Sequence, residues 1–420
     1  MTTRSKALLA VLGLIILALY SSWGRPLWLD EYLHFAFGGF DTASEAWSAV
    51  QSSTTNINHG QTGFYMMLDW GLLKAFGANL FALRLPSLLS GALLLFSVGL
   101  FLRRKNLGAT AIGAAFLLLA AQPNLMYFTG EARPYMPLVA SSMAALAYFS
   151  SSSEQRATTP MKIFIWTTMV WGALMMPYYL VYLPVIALTC FVIARLPWSF
   201  TEFRKFINLP LQITSVALGV TIGALTWLRG SPNFQRDPWL ILRPLFDSLT
   251  LPHYIAAIAL LILFMVTIRL GRNNVRGPIL LFLAMGIMAV LFAVLSLVQS
   301  YWILPRQFIA SQAIMTVAVV WGIGQALKAT PRKEQKILAS VYAVLIVFAF
   351  TRVAVDQVQN LRDWENNGFP VAGNPGDADF QGIDVGPANQ NVIDGGPVLP
   401  ELAAFYDQPR YKPGEEPIRP

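Results

Sequence analysis

The sequence is poor in the residues that run chemistry in water. Its 420 residues include 22 acids, 3 histidines and one cysteine, Cys190, and only 12% are charged, where a soluble domain carries about 25%. A lone cysteine cannot close an intrachain disulfide, and no Cys/His spacing matches a metal site. No Walker-type loop, dinucleotide-binding fingerprint or Gly-x-Ser-x-Gly nucleophile turn occurs. No sizeable domain separates the apolar runs on their more basic side, so nucleotide-fuelled chemistry has nowhere to sit. The net charge of +8 invites a nucleic-acid reading, but the basic residues are scattered through short loops between apolar runs. That is a topogenic pattern, and nucleic acid is excluded as a partner.

What is abundant is apolar sequence, 55% of the chain, arranged in long runs rather than at amphipathic spacing. A bilayer core of ~30 Å needs ~20 helical residues, because lipid offers backbone groups no partner. The chain reads as an all-α polytopic membrane protein. Its eleven expected spans cover 7–23, 80–102, 108–128, 134–150, 162–177, 179–194, 207–228, 253–270, 278–299, 307–327 and 336–354. The first, preceded by Arg4 and Lys6, resembles a signal peptide. Ser-Ser-Trp-Gly is a poor cleavage site, so it reads as a retained span.

With the N-terminus cytoplasmic, 17 of the 30 Lys and Arg fall in cytoplasmic segments and 8 in outer ones, in agreement with the positive-inside rule. Only Glu154, Glu202 and Glu334 of the acids are cytoplasmic. This divides the chain into a membrane domain, 1–354, and an outer tail, 355–420, rich in Pro, Gly, Asn and Asp. Two outer segments are long, 24–79 and 229–252. The first contains an amphipathic stretch near 41–51 and an apolar one at 62–76. Long connections are where function concentrates.

Four outer clusters carry polar groups suited to chemistry. Asp30 and Glu31 sit among Trp28, Leu29, Tyr32 and Leu33. Adjacent carboxylates in apolar surroundings are costly, and such surroundings raise a carboxyl pKa and suit a general base; a solvated helix cap is the plain alternative. Asn58 and His59 lie in a polar turn before the apolar stretch, where His59 is a ligand, a proton carrier or part of a cap. Glu131, Arg133 and Tyr135 flank Pro134 between spans three and four, as a shared site with Asp30 or as an interfacial ion pair closing a turn. Arg306 stands between spans nine and ten. Its permanently charged fork suits a lipid phosphate, or snorkels to headgroups. His34 and His253 read as interfacial residues.

Taken in order, these pieces resemble a known family. Trp28-Leu29-Asp30-Glu31-Tyr32 is followed by Asn58-His59 leading into Phe64-Tyr65. Then come Phe81-Ala82-Leu83-Arg84-Leu85-Pro86-Ser87 and Tyr127-Phe128-Thr129-Gly130-Glu131-Ala132-Arg133-Pro134-Tyr135. The pattern is similar to the GT-C superfamily of polytopic glycosyltransferases, in the bacterial branch related to protein O-mannosyltransferases and aminoarabinose lipid A transferases. It covers roughly residues 7–150, with Pro305-Arg306-Gln307-Phe308 similar to a later motif. Asn58-His59-Gly60-Gln61 stands where many relatives have His-Pro-Pro.

The resemblance implies a GT-C fold with amphipathic helices in the first outer loop, in a bacterial inner membrane with the active site and C-terminus extracytoplasmic. It implies inverting transfer of a hexose or pentose from a polyprenyl-phosphate donor to a hydroxyl of a lipid, glycan or protein. Asp30 would be the base and Glu31 its companion. Arg133 and Arg306 would contact donor phosphate, and Glu131, Tyr135, Asn58 and His59 would contact substrate. Some superfamily members bind a divalent metal between two acidic motifs, which makes Glu31 and Glu131 the candidate ligands. A transporter or flippase of a lipid-linked saccharide is the rival reading. It would require polar groups near mid-span and internal repeats, and neither is evident in the sequence.

Overall fold

The computed structural model describes residues 31, 34, 38–52, 63–77, 79–176, 178–195, 197, 199–225, 262–267, 269, 275–299 and 308–367. The first span and the readings placed on Asp30, Asn58, His59, Arg306 and the tail beyond 367 lie outside these residues. Among the described residues every regular element is a helix. They run α1 Ala43–Ser52, α2 Phe64–Phe76, α3 Leu80–Arg104, α4 Ala109–Ala120, α5 Pro123–Thr129, α6 Tyr135–Phe149 and α7 Ser153–Ala157. There follow α8 Thr159–Met175, α9 Tyr179–Ile193, α10 Phe200–Ile207, α11 Leu209–Leu225, α12 Arg276–Gln299, α13 Ile309–Ala329 and α14 Arg332–Asn367.

Local chemistry explains several boundaries. The Thr42 hydroxyl accepts from the Glu45 N–H at 3.2 Å, and the Glu45 carboxylate accepts from the Thr42 N–H at 3.2 Å. This reciprocal box starts α1, near the amphipathic stretch expected at 41–51. The Asn79 side chain accepts from the Ala82 N–H at 2.9 Å and starts α3, which ends on Arg103 and Arg104. Asn208 occupies the left-handed region (φ 51°) between α10 and α11, a conformation asparagine tolerates better than most residues.

Among the described residues, three helical stretches, Leu80–Arg104, Ile309–Ala329 and Arg332–Arg352, are long and apolar enough to cross a membrane. Other expected spans appear as shorter apolar helices. The run 108–128 is split into α4 and α5 at Gln122-Pro123, where Gln122 is extended (φ −86°, ψ 113°). Pro123 lacks an N–H and disfavours helix in the residue before it. The last helix is longer than its apolar run. It spans 36 residues, about 54 Å at 1.5 Å per residue, and passes through 354–355, the boundary drawn from composition. Polarity alone does not end a helix, and no Gly or Pro interrupts Asp356–Asn367.

Helix α6 is the axis of the bundle. All fifteen of its residues are buried, and α3, α8, α9 and α13 pack around it. Side chains such as Leu89, Phe96, Ile163, Val344 and Phe348 are exposed on the outer helices, as expected where lipid rather than water is the surrounding solvent. Small residues let the inner helices approach closely. A methyl group on Gly172 of α8 would stand 2.7 Å from Ser141 Cβ and 2.8 Å from the Tyr179 ring. The α6 register fixes what lies at its two ends: a polar cluster at Tyr135 and a cationic cavity beyond Phe149.

Candidate active site

Four segments converge at the N-terminal end of α6, three of them contributing polar groups at helical spacing and the fourth a turn. Glu31 and His34, three apart, come from the first long segment. Tyr65 and Asp69, four apart, lie on the buried face of α2. Arg84 and Ser87, three apart, lie near the start of α3. The turn 130–134 supplies Glu131 and Arg133. Residues three or four apart share a helix face, so the three helical pairs each present both members to the same interior. All eight are buried.

The centre of the cluster is an ion pair. Arg84 donates from Nε to Glu31 Oε1 at 2.9 Å and from Nη2 to Oε2 at 2.8 Å. The Ala132 N–H donates to the same Oε1 at 2.9 Å. The two-pronged arrangement is the strong form of the carboxylate–guanidinium contact. It ties the first long segment, α3 and the 130–134 turn together across sequence separations of 53 and 101 residues.

Ser87 reinforces the turn. Its hydroxyl donates to the Glu131 carbonyl at 2.5 Å and lies 3.2 Å from the Arg133 carbonyl. The Tyr65 hydroxyl stands 3.0 Å from Ser87 Oγ. The turn is closed by the Arg133 N–H donating to the Glu131 carbonyl at 2.8 Å. Arg133 places its guanidinium carbon 5.8 Å from the centre of the Tyr135 ring. Three of the expected site residues, Glu131, Arg133 and Tyr135, are thus gathered with Glu31 at one end of the bundle.

Beside this pair lies a second one. His34 Nδ1 is 2.7 Å from Asp69 Oδ2, and the imidazole stands edge-on to Tyr65 with centroids 5.4 Å apart. Burial, aided by the charge of Arg133, holds the His34 pKa well below the ordinary imidazole value. Burial, aided by the charge of Glu31, holds the Asp69 carboxyl well above the ordinary range. Both shifts favour the uncharged forms, which disfavours a full ion pair between the two side chains. Burial and the neighbouring carboxylates likewise keep the Tyr65 phenol protonated.

The structure corrects two assignments. His34 is not interfacial; it is 1% exposed, drawn inward because it lies one helical turn from Glu31. Arg84, one of the eight Lys and Arg that the charge count placed in outer segments, lies inside α3 with its guanidinium buried. Arg84, Asp69, Tyr65 and Ser87 had no assigned role. Arg84 carried a usable signal, since an arginine in the second turn of a 25-residue apolar helix requires a buried partner. Asp69, the one acid in α2, carried the same signal more weakly.

The described residues do not fit a metal at Glu31. Both of its oxygens are taken by Arg84 and Ala132, and the guanidinium would repel a cation. No group of three or more His, Cys, Asp or Glu able to hold a metal exists among the described residues.

Two outcomes follow from this geometry. Glu31→Gln leaves Arg84 buried without its counter-ion and is expected to cost about 3–5 kcal/mol. Chemical unfolding of the purified chain measures this, and a loss below about 1 kcal/mol would contradict the pairing. Asp69 has a raised native pKa. Its contribution is therefore present below the unfolded value of about 3.9 and is lost as pH rises. The melting temperature of Asp69→Asn relative to the native chain is expected to increase between about pH 4 and 7. His34, whose lowered pKa acts with the opposite sign below about 6.5, is common to both chains. A difference independent of pH would contradict an uncharged Asp69.

No protein-family model matches the chain, and no curated protein matches it. Solved structures that share its fold include ArnT from Cupriavidus metallidurans in the apo state, with a TM-score of 0.56 and 14% identity over 88% of this chain and 74% of that one. ArnT bound to undecaprenyl phosphate matches with a TM-score of 0.56 and 15% identity over 87% and 72%. At this identity the likeness concerns the fold and not individual residues. The chain shares the fold of these ArnT structures.

Proposed function

We propose that the protein is an inverting glycosyltransferase of a bacterial inner membrane. It moves a sugar from a polyprenyl-phosphate donor to an acceptor hydroxyl on the extracytoplasmic side. The observation that carries this reading is the clamp formed by Glu31, Arg84 and Ala132. It fastens the first long segment to the turn bearing Glu131 and Arg133, the two segments that the reading requires to act together. The undecaprenyl phosphate held by the ArnT structure of the same fold supports a polyprenyl phosphate as the lipid partner.

In this reading Asp30, the residue preceding Glu31, is the base. The acceptor oxygen attacks the anomeric carbon while its proton passes to the Asp30 carboxylate. The bond from that carbon to the phosphate oxygen breaks, and polyprenyl phosphate leaves with the electron pair. A phosphate is a good leaving group, so the protein's task is alignment, proton removal and charge stabilisation. Arg133 and Arg306 offset the phosphate charge, and Glu131, Tyr135, Asn58 and His59 hold the sugar and acceptor. Glu31 acts through position: with both oxygens engaged it anchors Asp30 rather than exchanging protons.

An apolar groove between α3, α4, α5 and α6 offers a surface for a short part of the donor's tail. It has a volume of about 160 Å³ and is lined by Leu88, Leu95, Phe116, Leu119, Met126 and Met136. Thr129, also in its wall, lies two residues before Glu131.

Asp30→Asn is expected to remove transfer while preserving the folded protein. In a strain carrying only this variant at normal protein level, the envelope glycan or glycosylated product lost on full deletion should also be lost. General bases contribute about 10²–10⁴-fold. Retention of more than about a tenth of the product-forming rate would sink Asp30 as the base.

A further inference from the structure

The opposite end of α6, about 22 Å away at 1.5 Å per residue, opens on a second cavity that the transferase reading does not use. Its volume is about 460 Å³, within the range of small-molecule sites. Its walls come from the C-terminal ends of α3, α6 and α9, the 150–153 loop, α7, α10, α12 and α13. They include the aromatic rings of Phe149, Phe206 and Trp321 and the serines 150–153.

Two cations line it. Lys105 Nζ lies 4.9 Å from the centre of the Trp321 ring and 5.6 Å from that of Phe101, and donates to the Ser150 carbonyl at 3.3 Å. Arg156 lies over Phe206, 4.1 Å from its ring centre. Its Nη1 is buried and has no hydrogen-bond partner. A third cation, Arg104, stands behind the wall and donates to the Ala147 carbonyl and to Ser151 Oγ.

Among the described residues no carboxylate pairs with any of the three. The acids of this region do not reach them: Glu154 is exposed and absent from the wall, and Glu202 pairs with Lys205. Three positive charges in a half-buried, aromatic-walled recess repel one another and are poorly solvated. An anion would offset both costs, and the buried, unused Arg156 donor supplies direction as well as charge.

We propose that this cavity binds a phosphate-bearing anion, either the headgroup of an anionic phospholipid or a soluble phosphate compound. The aromatic rings hold the two cations from behind, leaving their remaining donors for phosphate oxygens. Helix α10 flanks the site with Phe200 exposed at 77% and with Arg204 and Lys205 on the same short helix. That composition suits a helix lying at a membrane surface and brings a lipid headgroup within reach. The proposal is independent of the transferase reading.

The test uses the full-length chain purified in neutral detergent. Thermal unfolding is followed while phosphatidylglycerol, phosphatidylcholine or inorganic phosphate is added to the native chain, to Arg156→Gln, and to Lys105→Gln/Arg156→Gln. Arg156→Gln removes no hydrogen bond that the fold uses at Nη1, so it remains informative if the double variant fails to fold. Phosphatidylglycerol is expected to raise the melting temperature where phosphatidylcholine does not. Its apparent affinity should fall about tenfold for each charge removed, the scale of one charge-assisted hydrogen bond. A response to phosphatidylglycerol alone identifies a headgroup site, and a response shared by inorganic phosphate identifies a soluble phosphate ligand. No response to either anion, or equal responses in the native and Arg156→Gln chains, would overturn the proposal.

Discussion

A carboxylate and a guanidinium taken out of water cost several kcal/mol each unless they meet in good geometry with their remaining valences satisfied. Glu31 and Arg84 meet that condition through two hydrogen bonds and a third from the Ala132 backbone. The rest of the candidate site depends on this contact. It holds the first long segment against α3 and fixes the 130–134 turn, and the Glu31 charge adds to the burial that raises the Asp69 pKa. Ser87 completes the arrangement by capping the turn's carbonyls, and Tyr65 meets the Ser87 hydroxyl. A site built this way has its backbone fixed before substrate arrives, which is what catalysis by alignment and electrostatics requires.

Helix α6 carries the arrangement into the centre of the bundle. Its fifteen buried residues are largely Ala, Ser, Met and other compact or adaptable side chains, and the glycine of α8 at 172 lets that helix lie against it. The polar cluster and the cationic cavity are therefore the two ends of one rigid axis. One end concentrates carboxylates with arginines, and the other carries cations without carboxylates. That asymmetry follows the distribution of charge along the chain, in which acids are nearly absent from the more basic loops.

Much of the architecture was legible because lipid imposes a simple rule: apolar runs of sufficient length become helices. The runs at 80–102, 134–150, 278–299 and 307–327 each correspond to a helix within a few residues. The break at Gln122-Pro123 was also written in the sequence, but hydropathy averages over it. The continuation of α14 past residue 354 was not, because a polar helix and a polar tail have similar composition. In the site, Glu31, Glu131, Arg133 and Tyr135 stood out as polar groups beside apolar runs. Arg84, Asp69 and His34 were harder to place, because their importance lies in which distant residue each one meets. A pairing across 53 residues leaves no periodic trace in a single sequence.

The central claim is that this fold serves a phosphate-bearing polyprenyl lipid. The most direct measurement is binding of undecaprenyl phosphate, compared with undecaprenol, to the purified chain carrying Lys105→Gln and Arg156→Gln, so that the distant cavity does not contribute. The account predicts saturable stabilisation by undecaprenyl phosphate and little by the alcohol. Equal responses to the two lipids, or none to the phosphate, would contradict it.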